Sequence, residues 1–221
     1  MILDFSSDFT FFISAFTAIF SIVNPISGVM AFVSITSHMS QVDKSYVANR
    51  SVVIACLIAV IFAISGEYIL KFFSITPDSL RVAGGILLFL VAIDMLFART
   101  SRESITSEEL SAAAHRENVS VFPMAMPMLT GPGAITTILL YTNPKDGAGI
   151  QIKMVVILAI LLTFIITYLI FRFSDHFNNV VGMTGMLVMT RLMGLFLGAI
   201  AVGFISEGIW HIYLELLKTP V

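Results

Sequence analysis

The chain has 221 residues, 57% of them hydrophobic and only 12% charged, with a mean hydropathy of +0.97 and a formal net charge of −2. That is too little charge to clothe a soluble domain of this length, and the near-balance of sign offers nothing to a nucleic acid. Composition therefore leaves an integral membrane protein. The single cysteine, Cys56, lies in an apolar run, can form no intramolecular disulfide, and reads as a small core residue.

A spanning helix needs about 20 apolar residues. Six stretches qualify, near 9–36, 51–73, 82–98, 120–141, 153–173 and 190–213. The opening "MILDFSSDFTFF" has acids and no basic region, so the first stretch is expected to stay in the protein and not to act as a signal peptide. Residues 99–118, "RTSRESITSEELSAAAHREN", read as a solvated, helical, cytoplasmic loop between two halves, 1–98 and 119–221. Residues 174–189 are too mixed to span and read as a segment along the interface. Lys44, Arg50, Arg99, Arg102, Arg116, Arg172 and Arg191 fall on the side of the first, third and fifth connections, against Lys71, Arg81, Lys145, Lys153 and Lys218 on the other. That bias puts the central loop in the cytoplasm and both termini outside.

The two halves share landmarks in the same order. "NPISG" interrupts the first span at Asn24-Pro25 and "GPGAI" interrupts the fourth at Gly131-Pro132, 107 residues later. "RVAGGILL" opens the third span at Arg81 and "RLMGLFLG" the sixth at Arg191, 110 residues later. Each half has three spans, so the second must be inserted upside down. The expected fold class is an all-α polytopic membrane protein of six helices, a 3+3 inverted repeat with discontinuous first and fourth helices. Matching breaks in inverted repeats point to a secondary transporter's binding site, because irregular backbone survives at membrane depth only where it lines a cavity or is buried in protein. Residues 120–129 and 133–141 are expected as half-helices of ~15 Å each, which puts the break near the midplane.

Pro25 and Pro132 suit the first turn of a following half-helix, whose free N–H groups form an anion site; the preceding half-helices end in carbonyls that accept from a cation. Around the breaks, Gly28, Gly131 and Gly133 permit close backbone approach, and Ser21, Asn24, Ser27, Thr130 and Thr136 offer neutral hydrogen bonds. The embedded acids Glu67, Asp94 and Glu207 lie away from both breaks. Glu67 has Lys71 one turn on, and Asp94 lies one turn before Arg99. Glu207 is thus the best coupling candidate if protons drive transport, with sodium as the other coupling ion. A midplane site of neutral side chains and helix ends suits a small zwitterion.

The motifs also resemble a known family. "FPMAMPMLTGPGAITT" resembles the P-L-A-x-P…A-G-P-G signature of the MarC family of bacterial and archaeal membrane proteins, also described as small neutral amino acid transporters. "SIVNPISGVMAFVSITS", "SLRVAGGILLFLVA" and "TRLMGLFLGAIAVGFISEGI" resemble its other recurrent blocks in the expected order. Ser27, Met124 and Gly203-Phe204 depart from the usual pattern. The resemblance implies a multi-pass protein of the cell (inner) membrane, six helices in inverted repeats, and transport of glycine- or alanine-like solutes held at Asn24-Pro25 and Gly131-Pro132-Gly133. A channel or an exporter of another small uncharged solute is the alternative. An intramembrane enzyme is not expected, since neither HExxH nor a close pair of acids in adjacent spans is visible. The four histidines, His38, His115, His176 and His211, are scattered, so neither a metal nor another cofactor is expected.

Overall fold

The computed structural model describes residues 5–97, 119–143 and 149–218. The expected cytoplasmic loop 99–118 lies outside them. The described residues are helical almost throughout: α1 (Phe5–Val23), α2 (Pro25–Ile35), α3 (Gln41–Phe72), α4 (Pro77–Leu96), a loosely wound segment Ser120–Leu129, α5 (Pro132–Thr142), α6 (Ile150–Arg172) and α7 (Ser174–Lys218). Five stretches are long and apolar enough to cross a bilayer: Asp8–Ile35, Gln41–Phe72, Pro77–Leu96, Ile150–Arg172 and Val180–Leu217. The segment Ser120–Leu129 and α5, bent by 54° to one another, make a sixth if taken as one span.

The helix ends follow from local chemistry. Ser40 caps α3 by accepting the Asp43 N–H at 3.2 Å, while its own hydroxyl donates to the Asp43 carboxylate at 2.7 Å. This cap starts α3 ten residues before the expected span, so Lys44 and Arg50 belong to the helix and not to a connection. At its other end Ser74 takes the left-handed conformation (φ 54°). Its N–H bonds Lys71 O at 3.1 Å, and the Ile75 N–H bonds Leu70 O at 2.9 Å, which together close the helix. Thr76 caps α4 ahead of Pro77 in the same manner as Ser40 caps α3.

One expectation needs correction. Ser120–Leu129 is not a regular half-helix: Phe122 (φ −126°, ψ 124°) and Met126 (φ −136°, ψ 127°) are extended. Both precede prolines, Pro123 and Pro127, and a residue before proline is pushed out of the helical region. Residues 174–189 divide at Gly182 (φ 66°, ψ 169°), a non-helical conformation open to glycine: a short helix from Ser174 precedes it, and the residues after it run on into the last span.

Small residues set how closely the helices pack. The buried face of α3 is a stripe of Ala48, Ala55, Ala59, Ala63 and Gly66, which lets the segment Ser120–Leu129, α5 and α6 lie against it. The most extensive contact is α4 against α7. A Cβ added to Gly85 would stand 2.9 Å from Ala201 O and 2.7 Å from Ile205 Cγ1, and one added to Gly194 would stand 3.1 Å from Ala92 O. The two backbones therefore touch. Around this pair the packing is reciprocal: α1 packs on α6 and the segment Ser120–Leu129 on α3; α2 packs on α7 and α5 on α4.

This contact gives a paired test. Gly85→Ala should lower the thermal midpoint of the purified protein, since overpacking against backbone costs about 1–3 kcal/mol. Gly203→Ala, on the same α7 but with nothing within 4 Å of its added Cβ, should be neutral or stabilising by up to about 1 kcal/mol.

Candidate functional site

The first break is one residue wide. Asn24 sits in the left-handed region (φ 46°, ψ 64°). Its N–H still bonds Phe20 O at 2.9 Å, and its carbonyl still accepts from Gly28 N–H at 3.0 Å. Asparagine tolerates this backbone because its short side chain bonds locally. Here Oδ1 accepts the Ser27 N–H at 3.3 Å and caps α2, while Nδ2 donates to Ser27 Oγ at 2.7 Å. Ser27 Oγ is 2.7 Å from Thr190 Oγ1 on α7, and Thr190 in turn donates to Met186 O at 2.9 Å. Because Thr190 spends its one proton on Met186, Ser27 must donate to Thr190. The result is a directional chain from Asn24 through Ser27 and Thr190, and it ties α2 to α7. Ser21, fully buried, donates to Met193 Sδ at 3.7 Å on the same helix.

The second break is wider and differently finished. Gly131 is extended (φ −80°, ψ 178°), Pro132 starts α5, and no side chain caps it. Ile135 N–H bonds Gly131 O at 3.0 Å, which leaves the Gly133 and Ala134 N–H groups ahead of it at the positive end of the helix. Thr130, fully buried, does not face the break with its hydroxyl; that group donates across to Ala55 O on α3 at 3.0 Å. Thr136 packs its methyl onto Gly84 of α4.

The two breaks meet. A Cβ on Gly133 would stand 3.0 Å from Ile22 Cδ1 and 3.7 Å from Leu88 Cδ2; one on Gly28 would stand 3.1 Å from Phe171 Cζ and 3.7 Å from Leu129 Cδ2. Ile22 lies three residues before Pro25 and Leu129 three before Pro132, so each glycine meets the turn that leads into the other break. Pro25, Gly28, Gly131 and Gly133 are buried and Pro132 is exposed. Gly133 thus faces Ile22 of the other broken span, and Gly28 faces Phe171 of α6 with Leu129 of the other broken span farther off, so neither faces open space. A binding defect in a Gly133 variant would therefore mix steric exclusion of a solute with disturbed packing.

Glu207 stands apart from this cluster. Its side chain is 63% exposed and lies 3.9 Å from Arg81 Nε. Arg81 is buried and bonds Asp78 Oδ1 at 2.7 Å, and His211 Nδ1 approaches the same oxygen at 3.2 Å. Glu67 pairs with Lys71 at 2.9 Å and with Lys153 of α6 at 3.0 Å. In the sequence Arg81 stands out as a topology charge and a landmark of the repeat, while Asp78 and Thr190 carry no expectation. The i, i+3 spacing in "PDSLR" was a visible signal for the ion pair. Nothing local marked Thr190, whose partner is 163 residues away.

Two stability tests separate these groups. Asp78→Ala should destabilise by about 3–5 kcal/mol, the cost of stranding a buried partner, whereas Glu207→Gln should change the thermal midpoint little, as exposed pairs contribute about 0–1 kcal/mol. Asn24→Ala should lower the midpoint through lost capping, about 1 kcal/mol, and left-handed strain of roughly 1–2 kcal/mol, with Asn24→Gly relieving the strain alone.

The chain matches the model of the MarC family integral membrane proteins over residues 9–213. It is 40% identical over 202 residues to the UPF0056 membrane protein MJ1677 of Methanocaldococcus jannaschii, covering 91% of this chain and 97% of that one. It is 33% identical over 214 residues to the UPF0056 membrane protein YhcE of Escherichia coli, covering 96% and 97%. It is 32% identical over 202 residues to the UPF0056 membrane protein YvbG of Bacillus subtilis, covering 91% and 95%. No solved structure matches the chain. An apolar helical chain matched from end to end in this way is an integral, multi-pass membrane protein and belongs to the MarC family.

Proposed function

We propose that this protein is a secondary transporter of small neutral amino acids, with the solute held where the two broken spans cross. The observation that carries this reading is the uncapped first turn of α5 beside the interrupted end of α1. The Gly133 and Ala134 N–H groups suit a carboxylate. The carbonyls that end α1 suit an ammonium group: Pro25 offers no N–H to Ser21 O, and the Ser27 N–H is turned to Asn24 Oδ1 and away from Val23 O. No charged side chain is among Ser21, Asn24, Pro25, Ser27, Gly28, Thr130, Gly131, Pro132, Gly133 and Thr136. A solute without net charge is the natural occupant.

Reciprocal packing supports an inverted repeat behind this site. The half-helix after each break lies on the last span of the other half, and the stretch before each break lies on the other half's middle span. The Ile22–Gly133 and Leu129–Gly28 contacts are exchanged in the same sense. Such a pseudo-two-fold frame is what alternating access about a fixed midplane site requires. The positive-inside bias adds termini on the outer face of the cell membrane. Glu207, exposed beside Arg81 and apart from the breaks, is the coupling candidate if protons drive transport. Sodium held by backbone carbonyls remains the other way to couple transport.

Equilibrium binding on purified protein tests the reading. Glycine and alanine should bind saturably and show counterflow in proteoliposomes. Glycinamide, which lacks the carboxylate, should bind about ten- to a hundredfold more weakly, since charge-assisted hydrogen bonds contribute roughly 1.5–3 kcal/mol each. Equal competition by glycinamide, or no binding of any neutral amino acid, would overturn it.

A further inference from the structure

Six buried hydroxyls in these helices follow one habit, while Ser21 donates to Met193 Sδ instead. Thr36, Ser51, Thr137, Thr142, Thr167 and Thr190 each donate to the carbonyl one turn back, at 2.7–2.9 Å. That is the default for a hydroxyl in an apolar surround, where water offers no alternative. Thr163 of α6 departs from it. The residue is fully buried, and its Oγ1 is the buried side-chain oxygen without a hydrogen-bond partner among the described residues. Ala159 O, one turn back on its own helix, is not used. A buried polar group left unmade costs about 1–3 kcal/mol, so its retention asks for a partner that comes and goes.

The position of Thr163 says which partner. It lies near the middle of α6, and Val156, Ala159, Ile160, Thr167 and Phe171 share its buried face. α1–α2 and α6 run side by side in fixed register: Asp8 bonds Gln151, and Gly28 meets Phe171, the same 143-residue offset at both ends. That register puts Thr163 level with Phe20 and Thr167 level with Asn24, the last turn of α1 and its break.

We propose that Thr163 is a solute-binding residue of the broken-helix site. Its hydroxyl oxygen accepts from the solute's ammonium group alongside the Ser21 and Val23 carbonyls. The inference rests on the transport reading above and extends it to a helix that the sequence motifs leave out. It divides the zwitterion between two supports: carboxylate on the first turn of α5, ammonium between the end of α1 and the middle of α6.

The test compares Thr163→Val, which keeps the shape and removes the hydroxyl, with Thr163→Ser, which keeps the hydroxyl. Each is purified alongside the parent protein and titrated with glycine and with acetate, its analogue with no donor in place of the ammonium group. Thr163→Val should weaken glycine binding about ten- to a hundredfold, the effect of one hydrogen bond to a charged group, and leave acetate unchanged; Thr163→Ser should bind glycine as the parent does. The thermal midpoint of Thr163→Val without solute should equal or exceed that of the parent, because no internal hydrogen bond is lost. A lowered midpoint would give the hydroxyl a structural role and overturn the proposal. So would equal losses for glycine and acetate, or a loss seen only as an altered sodium requirement, which would assign the oxygen to a metal cation. If the parent binds glycine and Thr163→Val binds it equally well, this inference fails alone. If the parent binds no neutral amino acid, the transport reading fails and takes this one with it.

Discussion

Every backbone N–H and C=O inside a bilayer must find a partner within the protein, and this requirement organises the whole chain. Where the helices are regular it is met automatically. Where prolines interrupt them, the chain supplies partners one by one. Asn24 gives its side-chain oxygen to Ser27 N–H, and Ile135 N–H reaches back to Gly131 O. The groups that these partners do not reach gather where the two interrupted spans cross.

The two breaks solve the same problem in different ways. At Asn24 a single left-handed residue bends the chain and the helix resumes at once, tied to α7 by hydroxyls. At Gly131 the chain loosens over ten residues, because Pro123 and Pro127 each hold their predecessor extended. The first break is therefore pinned and the second open. That asymmetry puts the available N–H groups on α5 and the available carbonyls on α1. A zwitterion has the same asymmetry.

Much of the architecture was legible in the sequence. Hydropathy marks the spans, and Pro25 and Pro132 mark the breaks, because apolar length and proline chemistry are local properties. The family was legible in blocks such as "TGPGAI" for the same reason. The exact course of the chain was less so. The start of α3 depends on Ser40 and Asp43, a cap lying outside the apolar run that defines a span. The break near the start of α7 depends on one glycine angle. Partners far apart in sequence were not legible at all. Thr130 bonding Ala55, Ser27 meeting Thr190 and Ile22 filling the face of Gly133 all arise from tertiary packing. Glu207 looked isolated because Arg81 reaches it from another helix.

The close approach of α4 and α7 has a mechanical consequence. Helices separated by side chains can slide, since rotamers adjust. Helices in backbone contact, as at Gly85 on Ala201 and Gly194 on Ala92, cannot roll without driving a main-chain atom into its neighbour. Between these glycines the pair is held as one unit. Where the broken spans cross, by contrast, Ile22 meets Gly133 with an aliphatic tip, a contact that a rotamer can adjust. The interrupted helices therefore meet through side chains where α4 and α7 meet through backbone.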